Sequence, residues 1–570
     1  MSEAANRTET FTRKPRVAYF SMEIAMENDI PTYSGGLGVL AGDSLRAAAD
    51  IGVPMVAVTL VSRAGYFRQE IDPQGRQIEH ADDWDPARFA TRLQAAVALD
   101  LEDRQVWVGG WLYVLSTRVG SAGIPVLLLD TDLPVNDPRD RDITHYLYGG
   151  DEAYRMKQEV VLGAGGVAML QALGFNLMGY HMNEGHSAFL TLALMRRYAY
   201  PVEDLRPGES PYDLPQVREL CTFTTHTPVE AGLDKFDYSL VRRIYGDMLD
   251  LGTVKLLAGE DKLNMTRLAL NLSDYVNGVA KRHAEVSRKM FPGYAVHAVT
   301  NGVHAATWTS LPFAVMYDQH VPGWCHEPEL LSRADRIPND TLWAAHQQAK
   351  QALVDKVREL TGVILNPDQP ILGFARRMTA YKRADLLFTD LARLKAIARE
   401  HPLQIVMAGK AHPKDEAGKQ LIEALHAHMR DLSGAIPMAF LPDYDMELAL
   451  LMVSGSDVWL NTPLRPLEAS GTSGMKAAFN GVPQFSVLDG WWVEGCLEGV
   501  TGWAVGEDSA TANGRDAIAL YDKLEKVILP LWYDDRPGWI NVMKGAVSKN
   551  AAYFNSHRMM RRYATEAYLR

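Results

Sequence analysis

Only three cysteines, Cys221, Cys325 and Cys496, occur in 570 residues. They are odd in number and far apart, so they offer neither a disulfide framework nor a zinc-ligating spacing, and a reducing cytoplasm fits. No apolar run approaches the length of a membrane span, and Ser2 to Lys14 is polar with no apolar centre. That segment reads as a disordered lead-in over 1–15. The net charge is −12 and no lysine–arginine stripe with interleaved aromatics appears, which makes nucleic acid and anionic membranes poor partners. Tandem repeats, low-complexity tracts, a GxSxG elbow and a P-loop are also missing.

What is present suits a large soluble enzyme: 47% hydrophobic and 22% charged residues, in a chain long enough for two or more domains. Short β-rich runs alternate with longer helical patterns, the mark of βαβ units around parallel sheets. The first half has strand candidates at Val17–Glu23, Met55–Val61, Val126–Asp130, Leu177–Asn183, Leu220–His226 and Val296–Asn301. Helical patterns cover Leu37–Asp50, Glu152–Leu173 and Tyr275–Met290. Strand signals restart at Ile371–Arg376, Gln404–Gly409, Met438–Leu441, Val458–Thr462 and Pro483–Leu488. Proline and glycine interrupt the periodicity between His320 and Pro338. The expectation is α/β: two Rossmann-like parallel-sheet domains, 16–320 and 346–530, facing a cleft, with a linker at 321–345 and a helical tail at 531–570. Ligands in such sheets sit beyond the carboxyl ends of strands.

Three motifs lie there. Leu467 to Lys476 (LEASGTSGMK) is a hydroxyl- and glycine-rich turn between an apolar strand and a helix, and it suits an anion. A lysine at its end suits an aldehyde cofactor carrying a phosphate, pyridoxal phosphate, although a solvated first-turn lysine would look the same. Tyr33 to Gly42 is a second glycine-rich turn whose GGLG spacing differs from the dinucleotide fingerprint. Phe374 to Arg383 places Arg376, Arg377, Lys382 and Arg383 after a strand, where they repel one another unless anions or carboxylates lie between them. His226 and Asn301 end further strands. His181, Glu184 and His186 match no defensible zinc spacing, so no metal is expected.

In this order, Tyr19-Phe20-Ser21-Met22-Glu23, Ser34-Gly35-Gly36-Leu37-Gly38, Asn277-Gly278-Val279-Ala280, Thr300-Asn301-Gly302, Arg376-Arg377 through Tyr381-Lys382-Arg383, and Glu468-Ala469-Ser470-Gly471-Thr472 with Met475-Lys476 resemble the α-glucan (glycogen, starch, maltodextrin) phosphorylases. The resemblance implies the GT-B arrangement with pyridoxal 5'-phosphate in the cleft. It makes Lys476 the Schiff-base lysine, sets Gly35, Gly36, Arg376, Tyr444 and Thr472 around the cofactor phosphate, and lines the cofactor with Trp308. Arg377 and Lys382 match the cations that hold the substrate phosphate, and Glu468, Ser470 and Gly471 match contacts to a glucosyl hydroxyl. Asn301 and His226 line that sugar, Glu23 is near it, and Leu37 and Tyr381 are carried over as substrate-binding residues. Lys476, Arg377, Lys382 and Glu468 are the catalytic candidates.

The implied reaction is retaining transfer of glucose from an α-glucan or maltodextrin to inorganic phosphate, giving glucose 1-phosphate, in a cytoplasmic enzyme with a homodimer as the family habit. The chain departs from the longer members in its length, in Met182 to His186 at the expected gate loop, and in Asp445 where they carry a basic residue. An unregulated short form is therefore expected. The rival is a nucleotide-sugar α-glucan synthase of the same fold. Its retaining members commonly place a second glutamate eight residues after the first, where this chain has Lys476.

Overall fold

Apolar, β-branched runs bounded by turn residues are buried on both faces when helices cover both sides of a parallel sheet, and two such sheets organise this protein. The computed structural model describes residues 14–117, 119, 123–246, 250–509 and 514–569. Most of the expected lead-in, residues 1–13, lies outside them.

The first sheet has ten strands. Its parallel part runs His297–Ala298, Tyr275–Gly278, Cys221–Thr224, Gly179–Asn183, Val17–Ser21, Met55–Leu60 and Ile124–Asp130, with Val17 in register with both Met55 and Gly179. Arg104–Leu115 then pairs antiparallel to Ile124–Asp130 and carries two further antiparallel strands. The second sheet is parallel throughout, in the order Met438–Leu441, Gln404–Ala408, Ile371–Ala375, Val458–Asn461, Gln484–Val487 and Gly502–Val505. Counted along the chain, that order is 3-2-1-4-5-6, whose switch point lies between Ile371–Ala375 and Val458–Asn461.

One expected helix is corrected. Tyr275–Gly278 is a strand, and the helix begins at Lys281 and ends at Met290. Backbone pairing with Cys221–Thr224 on one side and His297–Ala298 on the other outweighs the helical apolar spacing. The expected strands run one to three residues too far at several carboxyl ends, because the residues just beyond the ladder bend away to form the loops described below.

The last described segment returns to the first sheet. Met559, Met560 and Tyr563, on helix Ser556–Tyr563, share an apolar cluster with Val17, Tyr19, Leu45 and Tyr275. Trp539 and Val547, earlier in the same stretch, pack with Phe374, Leu460 and Phe485 of the second sheet. Among the described residues no helix is long and apolar enough to cross a membrane.

Candidate active site

Residues that follow strands of both sheets line one cavity of about 340 Å³. Of the residues singled out from the sequence, Gly35, Gly36, Leu37, His226, Asn301, Trp308, Arg376, Arg377, Tyr381, Lys382, Tyr444, Glu468, Ser470, Gly471, Thr472 and Lys476 all line it. Glu23 does not. It sits behind the wall, 1% exposed, where Oε2 accepts from Ser34 N at 2.6 Å and Gly35 N at 3.2 Å, and Oε1 accepts from Tyr148 Oη at 2.9 Å. Glu23 therefore shapes the glycine-rich turn. A side chain on Gly38 would bring a Cβ within 2.7 Å of Glu23 Oε2, so the motif needs glycine there for space. Helix Gly36–Ile51 starts on this turn and directs its first N–H groups at the cavity edge.

From the second sheet, Arg376 follows strand Ile371–Ala375 directly. Its Nη1 donates to Asn461 Oδ1 and its Nη2 to Glu468 Oε2, both at 2.7 Å. Lys382 Nζ donates to the same Glu468 oxygen at 2.5 Å. Burial opposes ionisation of Glu468, but Arg376 and Lys382 outweigh it and hold the carboxyl below its usual range. Glu468 Oε1 is left facing Gly471, whose φ of 83° is the left-handed conformation that favours glycine. Arg377 lies across the cavity, with its Nη2 3.4 Å from where a Cβ on Gly35 would stand, and among the described residues it has no ion-pair partner.

The four-cation cluster read from the sequence divides at this point. Arg383 turns away, donating to Thr462 O, Pro463 O and the buried Asp516. The other three members of the cluster, Arg376, Arg377 and Lys382, line the cavity, and Glu468 neutralises part of their charge.

Lys476 is on helix Ser473–Phe479, 7% exposed, and among the described residues its Nζ has neither a hydrogen-bond nor an ion-pair partner. It rests over the Trp308 ring, 3.8 Å from the centroid. Burial lowers its pKa to about 8, against a smaller opposing effect of Asp43. An amine in that state is nucleophilic near neutral pH. Among the described residues, the buried Ser470 Oγ and Asn301 Oδ1 have no hydrogen-bond partner. His226 Nε2 meets Asn183 Oδ1 at 2.7 Å, and burial first, then neighbouring histidines, lower its pKa to about 3 and keep it neutral.

Tyr444 is in the wall, and burial followed by the adjacent Asp445 pushes its hydroxyl pKa up. Asp445 caps helix Met446–Gly455 through Leu448 N at 2.8 Å and accepts from Asn28 Nδ2 at 2.9 Å. The His181–His186 segment is not convergent: His181 meets Tyr568 Oη and Thr224 Oγ1, Glu184 accepts from His226 N, and His186 lies near Asp234. Lys410, Tyr66 and Asp43 escaped the sequence reading. Lys410 lines the cavity two residues beyond strand Gln404–Ala408, the strand-end position that marked Arg376, and pairs with Asp443 at 2.7 Å. Asp43, mid-helix, had no local signal.

The model of the carbohydrate phosphorylase family matches residues 234–502. Maltodextrin phosphorylase of Thermococcus litoralis is 39% identical over 97% of this chain and 70% of its own length. Glycogen phosphorylase of Aquifex aeolicus is 36% identical over 98% of this chain and 86% of its own length. An uncharacterized protein of Methanocaldococcus jannaschii is 31% identical over 97% of this chain and 99% of its own length. Identity at this level across nearly the whole chain, together with the cavity, leads to one conclusion: the chain belongs to the carbohydrate phosphorylase family.

Proposed function

We propose that this protein is an α-1,4-glucan phosphorylase, which transfers the terminal glucosyl unit of an α-glucan or maltodextrin to inorganic phosphate with retention and releases α-D-glucose 1-phosphate. The observation that carries the reading is a buried Lys476, whose Nζ has no hydrogen-bond or ion-pair partner among the described residues, in the same cavity wall as Arg376, Arg377 and Lys382. Relatives named maltodextrin and glycogen phosphorylase support it.

The residues fit pyridoxal 5'-phosphate. A buried amine suits its aldehyde, the Trp308 face suits its ring, and Arg376, Thr472 and the turn at Gly35 and Gly36 suit its phosphate. When bound, the cofactor supplies a phosphate group that exchanges a proton with the substrate phosphate. Lys476 acts as its tether. Arg377, which makes no salt bridge among the described residues and has Glu23 as its main carboxylate influence, holds the substrate phosphate, and Lys382 joins it. With Arg376 these cations offset the repulsion between two phosphates in a site of low dielectric.

Both cations on Glu468 use Oε2, so Oε1 remains to accept a sugar hydroxyl. Neutral His226, oriented by Asn183, offers Nδ1 to another, and Asn301 Oδ1 is a third acceptor. Burial of these groups limits the access of water, which would otherwise compete with phosphate.

The proposed architecture is GT-B, with Rossmann-like units at 16–320 and 346–530, the linker at 321–345 and the tail at 531–570. The 3-2-1-4-5-6 strand order supports it for the second unit. A cytoplasmic homodimer completes the proposal, in keeping with three free cysteines and the family resemblance. The test is to incubate the purified protein with maltodextrin and inorganic phosphate. Glucose 1-phosphate is the expected product; glucosyl transfer that requires a nucleotide sugar and ignores phosphate would overturn the reading in favour of a synthase.

A further inference from the structure

Asp50, His304 and His557 come from three distant parts of the chain and meet in the interior, and none of them lines the cavity. Asp50 is the penultimate residue of helix Gly36–Ile51, His304 is the N-cap of helix Ala305–Trp308, and His557 lies in helix Ser556–Tyr563. Asp50 Oδ2 is 2.7 Å from His304 Nε2 and 3.1 Å from His557 Nε2. One donor atom from each residue lies within 4.8 Å of the other two.

Hydrogen bonding alone accounts for His304, whose Nε2 faces Asp50 and whose Nδ1 meets Thr307 Oγ1 at 2.7 Å. It does not account for His557. That ring is 0% exposed, and among the described residues neither of its nitrogens has a hydrogen-bond partner of good geometry, because Nε2 is close to Asp50 but off the line a hydrogen bond needs. Burying an imidazole nitrogen without a partner is costly. A cation between the three side chains would use the Nε2 lone pair.

The donor set is two imidazoles and one carboxylate, which suits a borderline divalent metal. Tetrahedral Zn²⁺ with bonds of roughly 2.0 Å spaces its ligands about 3.3 Å apart, so the 3.1 Å contact is close to suitable and the 2.7 Å contact must open by roughly half an ångström. The setting favours positive charge as well: Asp50 stands at the carbonyl end of a sixteen-residue helix with no basic residue in its last turn. The nearby Arg46 is paired with Asp43 at 3.6 Å.

We propose that Asp50, His304 and His557 form a structural site for a divalent metal of the Zn²⁺ class, with water as the fourth ligand. The metal ties the C-terminal helix to helix Gly36–Ile51. It also fixes the short helix whose Trp308 faces Lys476. Its role is to hold the wall of the cavity, without touching substrate.

The test uses the intact protein without a polyhistidine tag, stripped with chelator and titrated with Zn²⁺ in a calorimeter, with Co²⁺ as a visible-absorption probe of tetrahedral geometry. Stoichiometric uptake, a Tm that falls with chelator and recovers with Zn²⁺, and loss of uptake in both Asp50→Asn and His557→Gln are expected. The wild-type titration stands even where a variant fails to fold. A folded wild-type protein that takes up no Zn²⁺, or takes up as much as folded Asp50→Asn, overturns the proposal. None of these readouts depends on glucan phosphorolysis.

Discussion

The Nζ of Lys476 stands 3.8 Å from the centroid of the Trp308 ring, and the Trp308 indole N–H is itself held by Asp43 Oδ2 at 2.8 Å. A desolvated cation–π contact of this kind contributes about 2 kcal/mol. Trp308→Ala should therefore cost about 3–5 kcal/mol in urea unfolding and weaken cofactor retention. Trp308→Phe keeps an aromatic face and loses the indole N–H, so it should cost about 1–3 kcal/mol, largely from the unpaired Asp43 oxygen, and retain more cofactor.

Stability of the cofactor-free protein should rise with pH in a window that Lys476 sets. Its folded pKa is about 8 against an ordinary 10.5, so below about pH 8 folded and unfolded chains are both protonated and the full cost of burying the charge is present. Between the two values the unfolded chain binds more protons, and stability climbs by about 3 kcal/mol over the window. Comparing urea unfolding of the cofactor-free wild type and Lys476→Met from neutral to alkaline pH checks this. The variant should lack that part of the climb.

Arg377 lines the cavity and makes no salt bridge among the described residues, so Arg377→Ala should fold normally and keep its cofactor absorbance. Turnover should drop by about 10²–10³, the usual scale for losing one pre-organised charge-stabilising group. Loss of cofactor in this variant would move Arg377 from the substrate phosphate to the cofactor.

Glu468→Gln removes the shared partner of Arg376 and Lys382 and leaves two poorly exposed cations uncompensated, which should cost about 3–5 kcal/mol in stability. Inorganic phosphate should raise the Tm of this variant more than that of the wild type, because an anion can replace the lost carboxylate. Equal phosphate shifts in the two proteins would show that the cations are not available to an anion.

How much of this was legible in the sequence depended on whether the signal was local. The strands ending at Ala375, Ala408 and Asn461 announce themselves as buried apolar runs, and the charged or hydroxyl-rich segments after them mark the cavity. The glycine turn at Gly35 and Gly36 was equally plain. Arg104–Leu115 was missed because Gly109 and Gly110 interrupt its pattern, where close packing of Leu133 against Gly109 and of Leu93 and Leu128 against Gly110 leaves little room for side chains. Arg383 looked like a member of the phosphate cluster, and only the fold shows it committed to Asp516.

Contacts between distant segments left no local trace. Gln69 on a hairpin reaches Gly409 O, Glu23 reaches Ser34, and Asp43 reaches Trp308. Asp50, His304 and His557 are each ordinary in their own neighbourhoods. Their proximity exists only once the C-terminal helix lies against the first sheet.

The most direct test of the account is to reduce the purified protein with borohydride and map the modified peptide. The account predicts a pyridoxyl group fixed to Lys476 alone, in a protein that makes glucose 1-phosphate from maltodextrin and phosphate before reduction. An active protein with no such group, or with the group on a different lysine, would contradict it.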